Sequence, residues 1–285
     1  MTNDWLENFS QEVLDNLSTY TDIKFPMYIP SKARSDLKLT TKALADVGIQ
    51  FYVVVEPQDY DDYLNHYDAS QLVKMDENDQ GIGYVRNACK QHSISIGAEY
   101  HWQLDDNIKD FRVRENNKNV VKDTRNVLSA TEHLVTRFDN IGIASLSHVM
   151  FAFARNTHLT INRQAYSCVL VNNKLDINYR NDCIEDTDYS LQVLDSGYCT
   201  ILFNRLLMSK AATGQHKGGN TEAVHAGDGR LKRSKALQKY WPGAFKLVEK
   251  KGRLHVAPSR VWDRFEQMPK GPDVDFNGND LSDFF

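Results

Sequence analysis

The chain has 285 residues, of which 41% are hydrophobic and 25% charged, with a net charge of −4. That is enough for one large domain or two small ones, and it excludes collagen-like, mucin-like and fully disordered classes. No apolar run approaches the roughly 20 residues of a membrane helix.

Trp5, Leu6, Phe9, Val13 and Leu17 recur at helical spacing, so residues 1–20 are read as a helix packed on the main domain. Residues 27–30 read as a strand, followed by a helix through Leu37, Leu44 and Val47 that Gly48 ends. Residues 51–55 are largely β-branched and lie between Gly48 and Pro57, the pattern of a buried strand. A short helix over 58–66, a strand near Leu72 and Val73, a helix over 85–95 and a strand over 100–104 follow. This alternation predicts an α/β fold, a mixed, mostly parallel sheet flanked by helices. Further on, helices are expected over 123–138 and 185–194, and strands over 141–146, 167–171 and 200–203. Residues 211–229 mix glycine with small polar residues and read as a mobile loop.

The opening Met1-Thr2-Asn3-Asp4-Trp5 has neither the basic nor the apolar region of a secretion signal. Cys89, Cys168, Cys183 and Cys199 form no CxxC pair and read as a reduced set, so the expected location is the cytoplasm. Charge is unevenly spread. Residues 228–264 hold eleven Lys and Arg against three Asp and Glu, a balance of +8. Residues 265–285 sum to −4, which leaves −8 for residues 1–227. The expected organisation is a main domain over 21–228, a basic helical segment over 229–270 and a disordered acidic tail over 271–285, with separate jobs.

Three places carry chemistry. At Trp102-Gln103-Leu104-Asp105-Asp106-Asn107 an apolar strand ends in two carboxylates and an amide. Ligand crevices of open α/β sheets lie at the carboxyl ends of strands, and hard oxygens suit Mg²⁺ or Mn²⁺ bridging phosphates. A turn that merely caps the next element is the competing reading. At Glu185-Asp186-Thr187-Asp188, following Asp182, three acids in four positions exceed what helix capping needs, and one of them is a candidate general base. At Tyr28-Ile29-Pro30-Ser31-Lys32-Ala33-Arg34 a strand runs into a small, basic loop, a ready anion site. Gly81-Ile82-Gly83 with Arg86-Asn87 lacks the third glycine of a dinucleotide fingerprint and reads as an ordinary turn.

In this order the motifs resemble GT-A glycosyltransferases, and more narrowly the bacteriophage DNA glycosyltransferases related to the kinetoplastid base J glucosyltransferase, over residues 25–225. The resemblance implies a UDP-sugar donor and a divalent metal (Mn²⁺ or Mg²⁺) at Asp105, Asp106 and Asn107, where the family pattern has Asp rather than Asn in the third place. His216, with His225 as second choice, is the implied additional ligand. Pro30, Ser31, Arg34, Glu56, Arg86, Asn87 and Asp105 match positions that hold the nucleotide, and Asp186, with Glu185 beside it, matches the base. The resemblance implies a hydroxymethylated pyrimidine as acceptor, and the basic segment over 229–270 favours double-stranded DNA, which it would contact, over a protein or lipid, because basic clusters neutralise phosphates. Arabinose and glucose are both open, with a lean to the pentose by family analogy. Rival readings are a polysaccharide or protein acceptor, a nucleotidyltransferase, and an inactive DNA-binding relative. Tyr240, Trp241, Phe245, Trp262 and Phe265 read as a small core or as a base-stacking surface. Leu281, Phe284 and Phe285 resemble the peptides that dock into replication sliding clamps.

Overall fold

In the computed structural model, which describes residues 4–154, 156–211, 218, 229–250, 253–258 and 260–271, the apolar runs of the sequence become the strands of one sheet. The strands are β1 (Met27–Pro30), β2 (Tyr52–Val55), β3 (Leu72–Lys74), β4 (Tyr100–Leu104), β5 (Ile108–Glu115), β6 (Lys118–Val121), β7 (Ile141–His148), β8 (Leu159–Ile161), β9 (Cys168–Asn172) and β10 (Cys199–Lys210). Their order is β3-β2-β1-β4-β9-β7-β10-β5-β6, with β8 paired to β10. The expected mixed sheet is present. Parallel pairing is confined to β3-β2-β1-β4 and to β7-β10, while β9 enters antiparallel to both its neighbours.

Helices α1 (Asp4–Asp15), α2 (Leu39–Ala45), α3 (Tyr60–Leu64), α4 (Ile82–Ser95), α5 (Thr124–Thr136) and α6 (Glu185–Asp195) flank the sheet. Leu6, Val13 and Leu17 are buried in the main core with Leu128, Trp102 and Phe111, so the opening helix packs where its spacing points. The β5–β6 hairpin was not expected from the sequence. It is turned by Asn116 and Asn117, at φ 46° and 60°, the left-handed conformation that a short hairpin demands and asparagine tolerates.

The C-terminal extension departs from the expected helical segment. Helix α7 (Gly229–Tyr240) is followed by an antiparallel hairpin of β11 (Phe245–Lys250) and β12 (Arg253–Pro258), in register from Phe245 opposite Pro258 to Lys250 opposite Arg253. Phe245, Leu247, Val248, Leu254 and Val256 favour a pleated strand over a helix, which explains the difference. Leu237, Ala244, Phe245, Val261 and Trp262 share a core with Cys183, Leu191 and Leu194 at helix α6, with Trp241 and Phe265 packed on it. These four aromatics therefore serve packing, and only Tyr240 is exposed. Residues 265–270 are then stitched back onto the sheet. Asn162 Nδ2 donates to Phe265 O and Gln267 O, Asn140 Nδ2 donates to Met268 O, and Gln267 Nε2 donates to Leu194 O. Leu281, Phe284 and Phe285 lie outside the described residues, as do His216 and His225.

All four cysteines are free and buried. Among the described residues no helix is long and apolar enough to cross a membrane.

Candidate active site

Strands β1, β2 and β4 run parallel and open their carboxyl ends on one edge, so the Tyr28–Arg34 and Asp105–Asn107 motifs meet there. As the chain leaves β4 the two aspartates part. Asp105 Oδ2 accepts from Lys210 Nζ at 2.6 Å, and its Oδ1 lies 3.8 Å from Arg86 Nη2. Burial raises the Asp105 pKa, but the charges of Lys210 and Arg86 outweigh it, so the carboxyl is held below its usual range. Asp106 faces the β1 loop instead. It accepts from Arg34 Nη1 and Ser31 Oγ, both at 3.0 Å. Burial prevails over these partners and raises its pKa. Thr40 fixes the turn, donating to Asp105 O at 2.5 Å and accepting from Ile108 N at 2.9 Å.

Asp186, in the first turn of α6, arrives at the same place from far along the sequence. Its Oδ1 is 3.3 Å from Arg86 Nη2, so one guanidinium, only 5% exposed, lies between the carboxylates of two separate motifs. Burial raises the Asp186 pKa well above the carboxylate range. The charge of Arg86 opposes the rise, and those of Glu185 and Asp105 add to it. Glu185 is paired with Arg233 of α7, which also donates to Cys183 O at 2.7 Å. Asp188 is fully buried and accepts from Arg180 Nη1 at 2.9 Å and from Trp241 Nε1 at 2.8 Å, so it ties α6 to the end of α7.

Arg86 is itself aimed by a directional relay. It donates to Gln103 Oε1 at 3.1 Å, and Gln103 Nε2 faces His101 Nε2 at 2.8 Å. His101 Nδ1 lies 2.7 Å from Asn173 Oδ1, which requires the proton on Nδ1 and leaves Nε2 to accept from Gln103. Burial lowers the His101 pKa to about 3 and keeps this ring neutral.

The remaining expected residues divide. Glu56, at the end of β2, accepts from Lys32 and from Gln58 Nε2 beside the β1 loop. Arg34 also donates from Nη2 to Gly218 O at 2.6 Å. Gly218 has φ 78°, and a Cβ there would fall 2.5 Å from Ala33 O, so that crossing requires glycine. Asn87 is engaged within the chain. Its amide donates to Tyr179 O and accepts from Tyr179 N, clamping the loop before α6. Gly83 serves the same loop, since a Cβ there would meet Arg180 C at 3.1 Å.

A divalent cation finds part of a site. Asn107 Oδ1 is buried with no hydrogen-bond partner, and Asp105 is 30% exposed, so both offer hard oxygens. Asp106 is committed to Arg34 and Ser31 and does not converge with them. Among the described residues no group of three His, Cys, Asp or Glu is placed to hold a metal. Sequence reasoning missed Lys210 and Tyr63, whose hydroxyl donates to Ser31 Oγ at 2.7 Å, and it counted Arg233 with the DNA-contacting charges rather than with the cleft. No local pattern marks them, because each partner is distant in sequence.

Paired carboxylates at strand ends, compensated by buried cations beside a basic loop, are the layout of a group-transfer enzyme of the glycosyltransferase class. Residues 25–219 match the TET-Associated Glycosyltransferase family, and the chain belongs to it. Among solved structures it is similar to GalNAc-T7 with UDP, GalNAc and Mn²⁺, at 10% identity over 76% of this chain and 48% of that one, TM-score 0.44. It is also similar to 4-diphosphocytidyl-2C-methyl-D-erythritol synthase from Anaerococcus prevotii DSM 20548, at 11% identity over 77% and 99% of the two chains, TM-score 0.39. The chain thus spans about half the length of GalNAc-T7. No curated protein sequence matches significantly.

Proposed function

We propose that the protein moves a sugar, arabinose or glucose, from a UDP-sugar to the hydroxymethyl group of 5-hydroxymethylcytosine in double-stranded DNA. The observation that carries this reading is the meeting of Asp105 and Asp186 at Arg86. On this reading Asp105 serves the donor side and Asp186 is the base at one reacting centre. The acceptor oxygen attacks the anomeric carbon and its proton passes to Asp186, while the bond to the UDP β-phosphate oxygen breaks. A single displacement of this kind inverts the anomeric centre. Arg34, Ser31 and Lys32, held by Asp106 and Glu56, bind and orient the diphosphate and nucleoside. Asp105 and Asn107, with His216, would hold a Mn²⁺ or Mg²⁺ ion, which neutralises charge developing on the departing UDP. Lys210 and Arg86 keep Asp105 ionised for that purpose.

The DNA acceptor is supported by the family's association with modified bases and by the +8 balance of residues 228–264. The hydroxymethyl group stands in the major groove, so access takes local opening of the base stack rather than full extrusion of the base. A contact of Leu281, Phe284 and Phe285 with a sliding clamp is a separable part of the proposal, tested by deleting residues 278–285. The deciding experiment incubates the protein with a panel of UDP-sugars and hydroxymethylated DNA and reads nucleosides by mass spectrometry. A glycosylated hydroxymethylcytosine is expected. Sugar found only on a polysaccharide or protein acceptor, or nucleotidyl transfer in its place, overturns the reading.

A further inference from the structure

Between Asp139 and Asp176 the sequence contains no Asp or Glu at all, although residues 1–227 carry a net −8. This acid-free stretch holds β7 and the 3₁₀ turn after it (Val149–Ala154), which bears the two most exposed large apolar side chains among the described residues and a third close by. Met150 is 70% exposed, Phe153 64% and Phe151 48%.

The turn stands at the mouth of the cleft. Val169 of β9 pairs with Gln103 of β4 on one side and with Ser145 of β7 on the other. Asp106 and His148, each three residues further along parallel strands, therefore emerge at the same sheet edge. Two strand spacings, ~10 Å, separate them. His148 pairs with Met208, two residues before Lys210, the side chain that holds Asp105. The turn is well built. His148 Nδ1 accepts from Met150 N at 3.0 Å, Phe151 packs edge-on against the His148 ring, and Asn119 of β6 donates to Val149 O at 3.3 Å. Arg114 lies under Phe153, 4.5 Å from the ring centroid, and leaves the opposite face to solvent. Residues 108–122 of the adjoining β5–β6 hairpin carry five Lys and Arg against two Asp and Glu.

An ordered aromatic lip on an acid-free turn, beside a hairpin of net positive charge and a transfer site, is suited to a polyanion that exposes flat apolar rings. We propose that Met150, Phe151 and Phe153 form the acceptor lip, packing against the target pyrimidine and its neighbours in DNA, with Phe153 backed by buried Arg114 and the hairpin's lysines facing the backbone. The inference rests on the DNA-acceptor reading above and adds to it the residues that position the base. Stacking or wedging by such side chains supplies affinity that does not depend on counterion release.

The test uses the full chain with Phe151→Ser, Phe153→Ser and the double substitution. UDP-sugar hydrolysis without DNA stays at the wild-type rate, because these side chains touch neither the carboxylates nor the β1 loop. The KM for a hydroxymethylcytosine duplex rises about tenfold for each aromatic removed, with the salt slope of binding unchanged. 2-Aminopurine placed beside the target base brightens on binding the wild type and not the double variant. Unchanged KM and an unchanged fluorescence signal in the double variant overturn the lip. So does a lip that holds two copies together, shown by sedimentation as a wild-type dimer and a variant monomer with equal DNA affinity. If the wild type binds this DNA without transferring sugar, the functional reading fails, and the lip is still judged by the fluorescence and affinity of the variants.

Discussion

Arg34, Arg86 and Lys210 are withdrawn from solvent in the cleft, and each faces a carboxylate, at 3.0, 3.3 and 2.6 Å. On α7, Lys232, Lys235 and Lys239 stand exposed. The two regions use the same charge in opposite ways. A buried cation stabilises the ionised form of one particular acid and sets where that acid points. An exposed cation acts on a long-range field and is screened by salt. Arg233 marks the boundary between them. It lies on α7 among the lysines, yet it is spent on Glu185 and on the Cys183 carbonyl, so it belongs with the cleft. The basic balance of a sequence segment thus overstates the charge presented to a polyanion.

The largest effect that tests this division is expected of Asp186→Asn. Losing the base lowers kcat for transfer by about 10²- to 10⁴-fold, measured with saturating UDP-sugar and DNA, while DNA affinity stays as it was. A loss below tenfold moves the base to another acid. Next is Trp241→Phe at the junction, which takes one donor from buried Asp188. A stability loss of about 1–3 kcal/mol is expected in denaturant unfolding, and no loss at all would mean that Asp188 is served by Arg180 and Gln192 alone. Replacing Lys232, Lys235 and Lys239 by Gln should weaken DNA binding about tenfold and lower the salt slope by roughly 0.9 for each phosphate no longer neutralised. Donor hydrolysis should persist in that variant, and a fall in hydrolysis would put α7 in the donor site. The smallest effect is a pH shift. In the proposed role Asp186 acts as its carboxylate, so activity is expected to rise as pH passes its raised pKa. Glu185→Gln removes a like charge that contributes to the rise, so the acid limb of the pH profile moves to lower pH, by less than about one unit.

How much of this was visible in the sequence follows the range of the interactions involved. Strands β1, β2 and β4 and helices α4, α5 and α6 were legible because burial imprints a local period on Val53–Val55 or Leu128–Val135. The Asp105–Asp106 and Glu185–Asp186 motifs were legible as dense acids at strand and helix ends. Their division of labour was not, since it depends on Ser31, Arg34 and Lys210 converging from other elements. The β5–β6 hairpin did leave a signal, in Phe111 and Val113 alternating with charge before Asn116-Asn117. The 245–258 hairpin was obscured by its charge, which drew attention to partners and away from the β-branched residues between the lysines.

The core shared by α6 and α7 has a mechanical consequence. Leu191 and Leu194 sit on the helix whose first turn bears Asp186, and they share one hydrophobic core with Leu237 of α7 and Trp262. Asn140, Asn162 and Gln267 rivet the following residues to the sheet. A chain cut after residue 228 would strip cover from this face of α6, and the loss would reach the catalytic turn. The extension is therefore no detachable tether: a polymer held by α7 would be presented to Asp186 at a fixed stand-off. Recoding the exposed lysines alone offers a way to change the grip without altering that distance.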